Sequence, residues 1–332
     1  MKNGIIFLVC MFCAVITLSA QQKFNVQNGT KTEFYNDLET AIQQAVSGDT
    51  IYLPGRVVQV QSDLTIDKKL AIIGAGWDVD SIGGLQTTEI KNGNNHIRIY
   101  FNEGSSGSLL MGCMIRDIYF MEQNVSNVTL WRNRITGNLI LANNSSLNIK
   151  QIIVSENFIN GTIHGNGGAS ECFVNNNCLS SGGIESLENS FINNNAMNSR
   201  VGYLTGCIVE NNYIMGNMHD CQNSIFNNNA YPGTYSFPLG SNSGSNNLMN
   251  QLLDDTFTVN SFGLPKNLEI KGTSPCKNAG TDGTDIGIFG GPAPYKAGAV
   301  PFNPHITRSV ISAQTDKDGK LKVDIEVSAQ TR

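Results

Sequence analysis

Between residues 128 and 231 apolar and polar positions recur in blocks that end in asparagine, at Asn133, Asn157, Asn177, Asn195, Asn212 and Asn229. The spacings are 24, 20, 18, 17 and 17 residues. A period near twenty is too short for paired helices and fits solenoid coils built from short strands. Five and three residues before each Asn lie Val128/Leu130, Ile152/Val154, Cys172/Val174, Ser190/Ile192, Cys207/Val209 and Ser224/Phe226. Side chains alternate faces along a strand, so these small or apolar residues are predicted to fill a bore. Two residues after each Asn come Ile135, Ile159, Leu179, Met197, Ile214 and Tyr231, a second apolar file. The pattern predicts an all-β fold: a right-handed, single-stranded parallel β-helix in which the Asn side chains stack at the corners as a hydrogen-bonding ladder. Four residues before each Asn, on the outward parity, lie Thr129, Ile153, Phe173, Phe191, Ile208 and Ile225. An apolar stripe of this kind calls for a cover: the C-terminal tail, a partner chain or long loops.

The ends read differently. Tyr35 to Val46 places Leu38, Ala41, Ile42, Ala45 and Val46 on one helical face, a helix able to plug the bore. After Pro301 two alternating strands, about Ile306 to Gln314 and Lys320 to Ala329, flank Asp316-Lys317-Asp318-Gly319, a hairpin signal. The expected organisation is a signal peptide over 1–20, a β-helix with its N-terminal cap over 21–300, and a hairpin extension over 301–332. The entry motif, Gly48-Asp49-Thr50-Ile51-Tyr52-Leu53-Pro54-Gly55 with Leu64-Thr65-Ile66 and Leu70 to Gly76, resembles that of bacterial secreted proteins of the pectin-lyase-like superfamily. Ser274 to Gly280 with Thr284 to Gly291 is similar to the closing coil of that group. The resemblance implies the fold over about residues 34 to 292, and it leaves lyase, hydrolase and noncatalytic roles open.

The start of the chain refines the setting. Lys2 precedes the apolar run Gly4 to Leu18, and Ser19-Ala20 marks a cleavage site, so the product is expected to be exported, to the periplasm, cell surface or medium. No later run is long enough to span a membrane, and a net charge of −5 with scattered Lys and Arg argues against nucleic acid as a partner. Six cysteines follow the signal: Cys113, Cys172, Cys178, Cys207, Cys221 and Cys276. Cys172 and Cys207 share one ladder position two coils apart, about 9.6 Å at the usual strand spacing. That is beyond disulfide reach, and they read as packed thiols.

Candidate chemistry is sparse. Between residues 123 and 253 the only lysine is Lys150, and no tight carboxylate cluster suited to polysaccharide hydrolysis occurs. Arg132 and Glu156 fall at one position on successive coils, and Glu210, His219 and Asp220 fall within one coil. The first two read as a surface ion pair worth under about 1 kcal/mol. His164 and His219 are equivalent positions three coils apart, about 14 Å, too far to share a metal. Asp254, Asp255, Asp282 and Asp285 could hold Ca²⁺, though acidic residues at turns usually serve the backbone, and no metal or other cofactor is assigned. Asn124, Asn127 and Asn160 match the Asn-x-Ser/Thr pattern by composition. The expected function is presentation of a long polar surface to a polysaccharide or cell-surface partner; the alternatives are a polysaccharide lyase or glycoside hydrolase of the same fold, and a structural or adhesive element.

Overall fold

A computed structural model of the chain describes residues 23–78, 87–234, 240–296, 302 and 305–329. The expected signal peptide lies outside them. Three strands per turn stack into three parallel sheets, giving a β-solenoid of about eight turns. The ladder sheet carries Thr50–Tyr52, Ala71–Ile73, Leu109–Met111, Thr129–Trp131, Ile153–Ser155, Phe173–Asn175, Phe191–Asn193, Ile208–Glu210 and Ile225–Asn227 in that order. Its register places Leu130, Val154, Val174, Ile192, Val209 and Phe226 in one file, all fully buried, as the parity argument requires. A second sheet follows the Asn corner, and a third sheet completes each turn.

The Asn ladder is a continuous chain of side-chain amides. Asn177 Oδ1 accepts from Asn157 N at 2.9 Å and Asn157 Nδ2 at 3.0 Å, while Asn177 Nδ2 donates down to Asn195 Oδ1 at 2.9 Å and back to Val154 O at 2.8 Å. The same links join Asn133 to Asn157, Asn195 to Asn212 and Asn212 to Asn229. The ladder runs one step beyond the sequence expectation, from Asn229 to Asn247. At its other end Asn133 Oδ1 accepts from Cys113 N, where a thiol replaces the amide. Each Asn thereby satisfies corner backbone that a buried turn would otherwise strand.

Before each ladder Asn the chain must adopt a left-handed conformation. Asn176, Asn194, Asn211 and Asn228 have φ of 54°, 53°, 58° and 51°, and Gly112 and Asn246 stand at the same place. Asn and Gly tolerate this region best, which is why the repeat reads Asn-Asn. Arg132 (φ 54°) and Glu156 (φ 53°) occupy it too, and both are non-glycine residues without the Asn preference.

The N-terminal end is sealed by two devices. The helix spans Leu38–Gln44, shorter than expected, with the Asp37 side chain accepting from Thr40 N at its start. Leu38, Ala41, Ile42 and Ala45 are buried as predicted, but Val46 lies beyond the helix and is exposed. A hairpin not anticipated from sequence, Phe24–Asn28 with Lys31–Tyr35, adds two antiparallel strands to the ladder sheet and covers its edge.

The exit differs from the expected closing coil. Residues 251–296 form a strap that runs back along the outside of the second sheet. Asn228 Nδ2 donates to Ala279 O, Asn211 Nδ2 to Thr281 Oγ1, Asn194 Nδ2 to Gly287 O and Asn176 Nδ2 to Ile288 O and Gly290 O. The column of left-handed asparagines is thus a rail to which the strap is fastened. A Cβ at Gly290 would lie 1.8 Å from Asp285 O and 2.6 Å from Asn194 Nδ2, so only glycine lets the strap approach so closely. Beneath it Met114, Phe158, Cys178, Ala196, Tyr213 and Ala230, the outward file of the second sheet, pack against Phe257, Phe262, Leu268, Ile286, Ile288 and Tyr295. This second apolar core lies outside the solenoid. The sequence carried its signal: the residue after each ladder Asn is apolar on most coils, yet parity points it away from the bore.

All six cysteines described are free and buried. Burial pushes the Cys113 and Cys172 thiols up to about 12 and those of Cys207 and Cys276 up to about 11. Cys172, Ser190, Cys207 and Ser224 form a minor ladder, with Cys172 N donating to Ser190 Oγ and Cys207 N to Ser224 Oγ. Native protein at pH 8 is therefore expected to resist a thiol reagent for hours and to titrate at all six sites once unfolded. Rapid native labelling of two or more would contradict this packing.

Candidate functional site

The residues singled out from the sequence do not form one site. Arg132 and Glu156 are adjacent, Nε to Oε2 at 3.0 Å, but they are 0% and 2% exposed beneath the strap, contrary to the expected surface ion pair. Glu156 Oε1 also accepts from Trp131 Nε1 at 2.8 Å, and Oε2 from Lys296 N at 3.2 Å. The pair fastens the far end of the strap and has no opening to substrate. Glu210 lies on the ladder sheet and accepts from Asn227 Nδ2, whereas His219 ends a strand of the third sheet and Asp220 follows it, so one coil carries them on different faces.

The third sheet gathers more chemistry than the sequence showed. Register places Tyr100, Tyr119, Ile140, His164, Glu185, Gly202 and His219 in one outward file. His164 and His219 are three steps apart in it, as expected. Tyr100 and Tyr119 stack with ring centroids 5.4 Å apart and planes 24° from parallel. Arg98 lies 3.6 Å from Asp63 and 3.7 Å from Asp117, and Arg116 Nε reaches Asp117 at 3.0 Å. Farther along, Glu185 accepts from Arg200 Nε at 2.7 Å and faces His164 Nδ1 at 3.6 Å. Gly202 leaves a gap before His219, which meets Asp220 at 2.7 Å and whose ring lies 5.3 Å from that of exposed Tyr203 in a tilted contact. The face is a line of aromatic platforms and paired charges about 29 Å long, from six steps of about 4.8 Å.

Tyr100 and Tyr119 were missed because their coils precede Asn133 and carry no corner Asn, and Glu185 because it stands eight residues after Asn177, where Ile140, His164, Gly202 and His219 stand seven after their Asn. The Asn repeat therefore aligns His164 with His219 but does not reach the two tyrosines. Counting one residue on from the inward apolar residues Ile99, Ile118, Leu139, Ile163, Ile184 and Val201 recovers the file from Tyr100 to Gly202.

The ladder sheet presents a different surface. The outward row is open: Phe173 is 53% exposed, Ile153, Ile208 and Ile225 are likewise exposed, and Phe191 is half-buried. The tail does not cover it in this structure. Together with Gln151, Glu171 and Asn189 at the neighbouring corner, Phe173, Phe191 and Ile208 line a groove of about 470 Å³.

Of the four acidic residues considered for Ca²⁺, Asp282 and Asp285 are engaged within their own turn. Asp285 accepts from Lys277 Nζ and Asn278 N, and Asp282 accepts from Thr284, which holds its carboxyl below the usual range. Asp254 and Asp255 lie in the short helix Leu253–Thr256. Among the described residues no group of three or more His, Cys, Asp or Glu is placed to hold a metal ion, and no helix is long and apolar enough to cross a membrane. No family model matches this chain, and no curated protein matches it.

Proposed function

We propose that this is an exported β-helix protein of the pectin-lyase-like kind that binds an extended, uncharged polysaccharide along its third sheet. The observation that carries the reading is the Tyr100–Tyr119 stack in line with the Arg98–Asp117 and Arg200–Glu185 pairs. Aromatic faces suit the apolar side of a sugar ring, and planar charged pairs offer donors and acceptors to its hydroxyls. Each arginine here already meets a carboxylate, so a polyanion would have to displace an existing partner, whereas a neutral chain would not. The apolar start of the sequence and the entry motif at Gly48 to Gly55 support export and the superfamily.

The mature chain is expected to be retained by an insoluble neutral polysaccharide with little dependence on salt. Tyr119→Ala is expected to weaken retention about 5- to 30-fold, from about 1–2 kcal/mol of lost stacking. An unchanged affinity, or binding only to acidic polymers at low salt, rejects the reading. The His219–Asp220 pair beside Tyr203 favours a second reading, acid–base cleavage of the bound chain. Release of new reducing ends or unsaturated products in the same incubation, abolished by His219→Ala, would establish it.

A further inference from the structure

The apolar row of the ladder sheet and an apolar face of the C-terminal hairpin are both exposed, and they belong to one chain. The hairpin, His305–Ile311 with Val323–Ser328, is a two-stranded sheet of its own among the described residues. Ile311, Leu321, Val323, Ile325 and Val327 share one parity, and each is about half-exposed or more, up to 61% at Val327. An isolated two-stranded sheet is marginal in water and needs an apolar face to lie on.

Three observations identify that face. First, the strap ends beside it: Lys296 N is bonded to Glu156, which follows Ile153–Ser155 in the same coil. Second, the chain has already crossed to the ladder sheet at Phe302, whose ring lies 5.5 Å from that of Trp131, two residues from Thr129 at the head of the row. The hairpin begins three residues later, within about 10 Å of extended chain. Third, the lengths agree. Thr129 to Ile225 spans five steps, about 24 Å, and the seven residues of His305–Ile311 extend about 23 Å.

We propose that the hairpin closes over the row as a lid, its apolar face set across the ladder strands over Ile153, Phe173, Phe191, Ile208 and Ile225. The structure represents the open arrangement. Closure fills the 470 Å³ groove and removes both apolar surfaces from water. Its tether at Trp131 makes the event intramolecular, which favours the chain's own hairpin over that of a second copy. This device lies on a different face from the proposed glycan strip and does not depend on it.

Ile208→Cys with Ile325→Cys in the mature chain tests the closure. Both positions are exposed in the open form, and the six native thiols are buried. A short bis-maleimide is expected to join the two introduced cysteines within monomers, detected by peptide mapping of the monomer band. Links only between chains, or none, overturn the proposal. Val323→Lys with Ile325→Lys leaves the solenoid untouched and is expected to raise the fluorescence of an apolar-surface dye several-fold while the circular dichroism stays the same. No change in dye signal is the contrary result.

Discussion

Asn195→Leu is expected to be among the most destabilising single changes in the molecule, lowering the unfolding free energy by about 3–5 kcal/mol from two or three stranded polar groups. Asn195 is fully buried, and its Oδ1 accepts from Asn177 N and Nδ2 at 3.0 and 2.9 Å. Its Nδ2 donates to Val174 O at 2.8 Å, Asn193 O at 3.0 Å and Asn212 Oδ1 at 3.0 Å. Leucine is close in volume, so little of the loss comes from packing. It comes from an amide N–H and carbonyls left in an apolar wall without water. Asn247→Leu serves as the comparison. That side chain is half-exposed at the last rung, where water can replace the amide, and the expected loss is under about 1.5 kcal/mol. Urea unfolding of the two variants checks the contrast; equal losses would mean that the ladder gains nothing from burial.

Glu156→Ala is expected to cost about 3–5 kcal/mol, because it leaves the Arg132 guanidinium charged at a site with no exposure. Three contacts go with the carboxylate: those from Arg132 Nε, Trp131 Nε1 and Lys296 N. An exposed pair offers the contrast. Lys277 with Asp285 is closer, at 2.7 Å, but Lys277 is 42% exposed, and Lys277→Ala is expected to cost under about 1 kcal/mol. The column itself supplies a rescue. Below this pair the equivalent positions are Asn176 and Asn194, which hold the strap through neutral amides and tolerate positive φ. Arg132→Asn with Glu156→Asn is therefore expected to be more stable than Glu156→Ala alone. Thermal unfolding followed by circular dichroism ranks them, and a double variant no better than the single one would show that the ion pair contributes more than strap anchoring.

Both results bear on function through the strap. Its far end, at Lys296, sets where Phe302 meets Trp131 and hence where the hairpin is tethered. Glu156→Ala should loosen that tether and change the dye response of the ladder-sheet groove, while the Tyr100–Tyr119 strip on the third sheet keeps its affinity. The two faces can be separated by this one substitution.

The repeat of Val154, Val174, Ile192 and Val209 with its terminal Asn determined the solenoid, the bore and the ladder from the sequence alone. Those features depend only on a residue's place within its own coil and on a like residue one period away. The open apolar row was legible for the same reason. What the tertiary structure decided lies between coils of unequal length or between distant segments. The third-sheet file joins Glu185 and His219 to Tyr100 and Tyr119, whose coils precede the Asn repeat and so have no place in its register. The strap over Phe158, Cys178 and Tyr213 depends on chain some 40 to 140 residues away, which also buried Arg132 and Glu156 where local pattern placed them in water. Burial is a sum over every segment that arrives at a surface, and a periodic sequence reports only the neighbours its period brings.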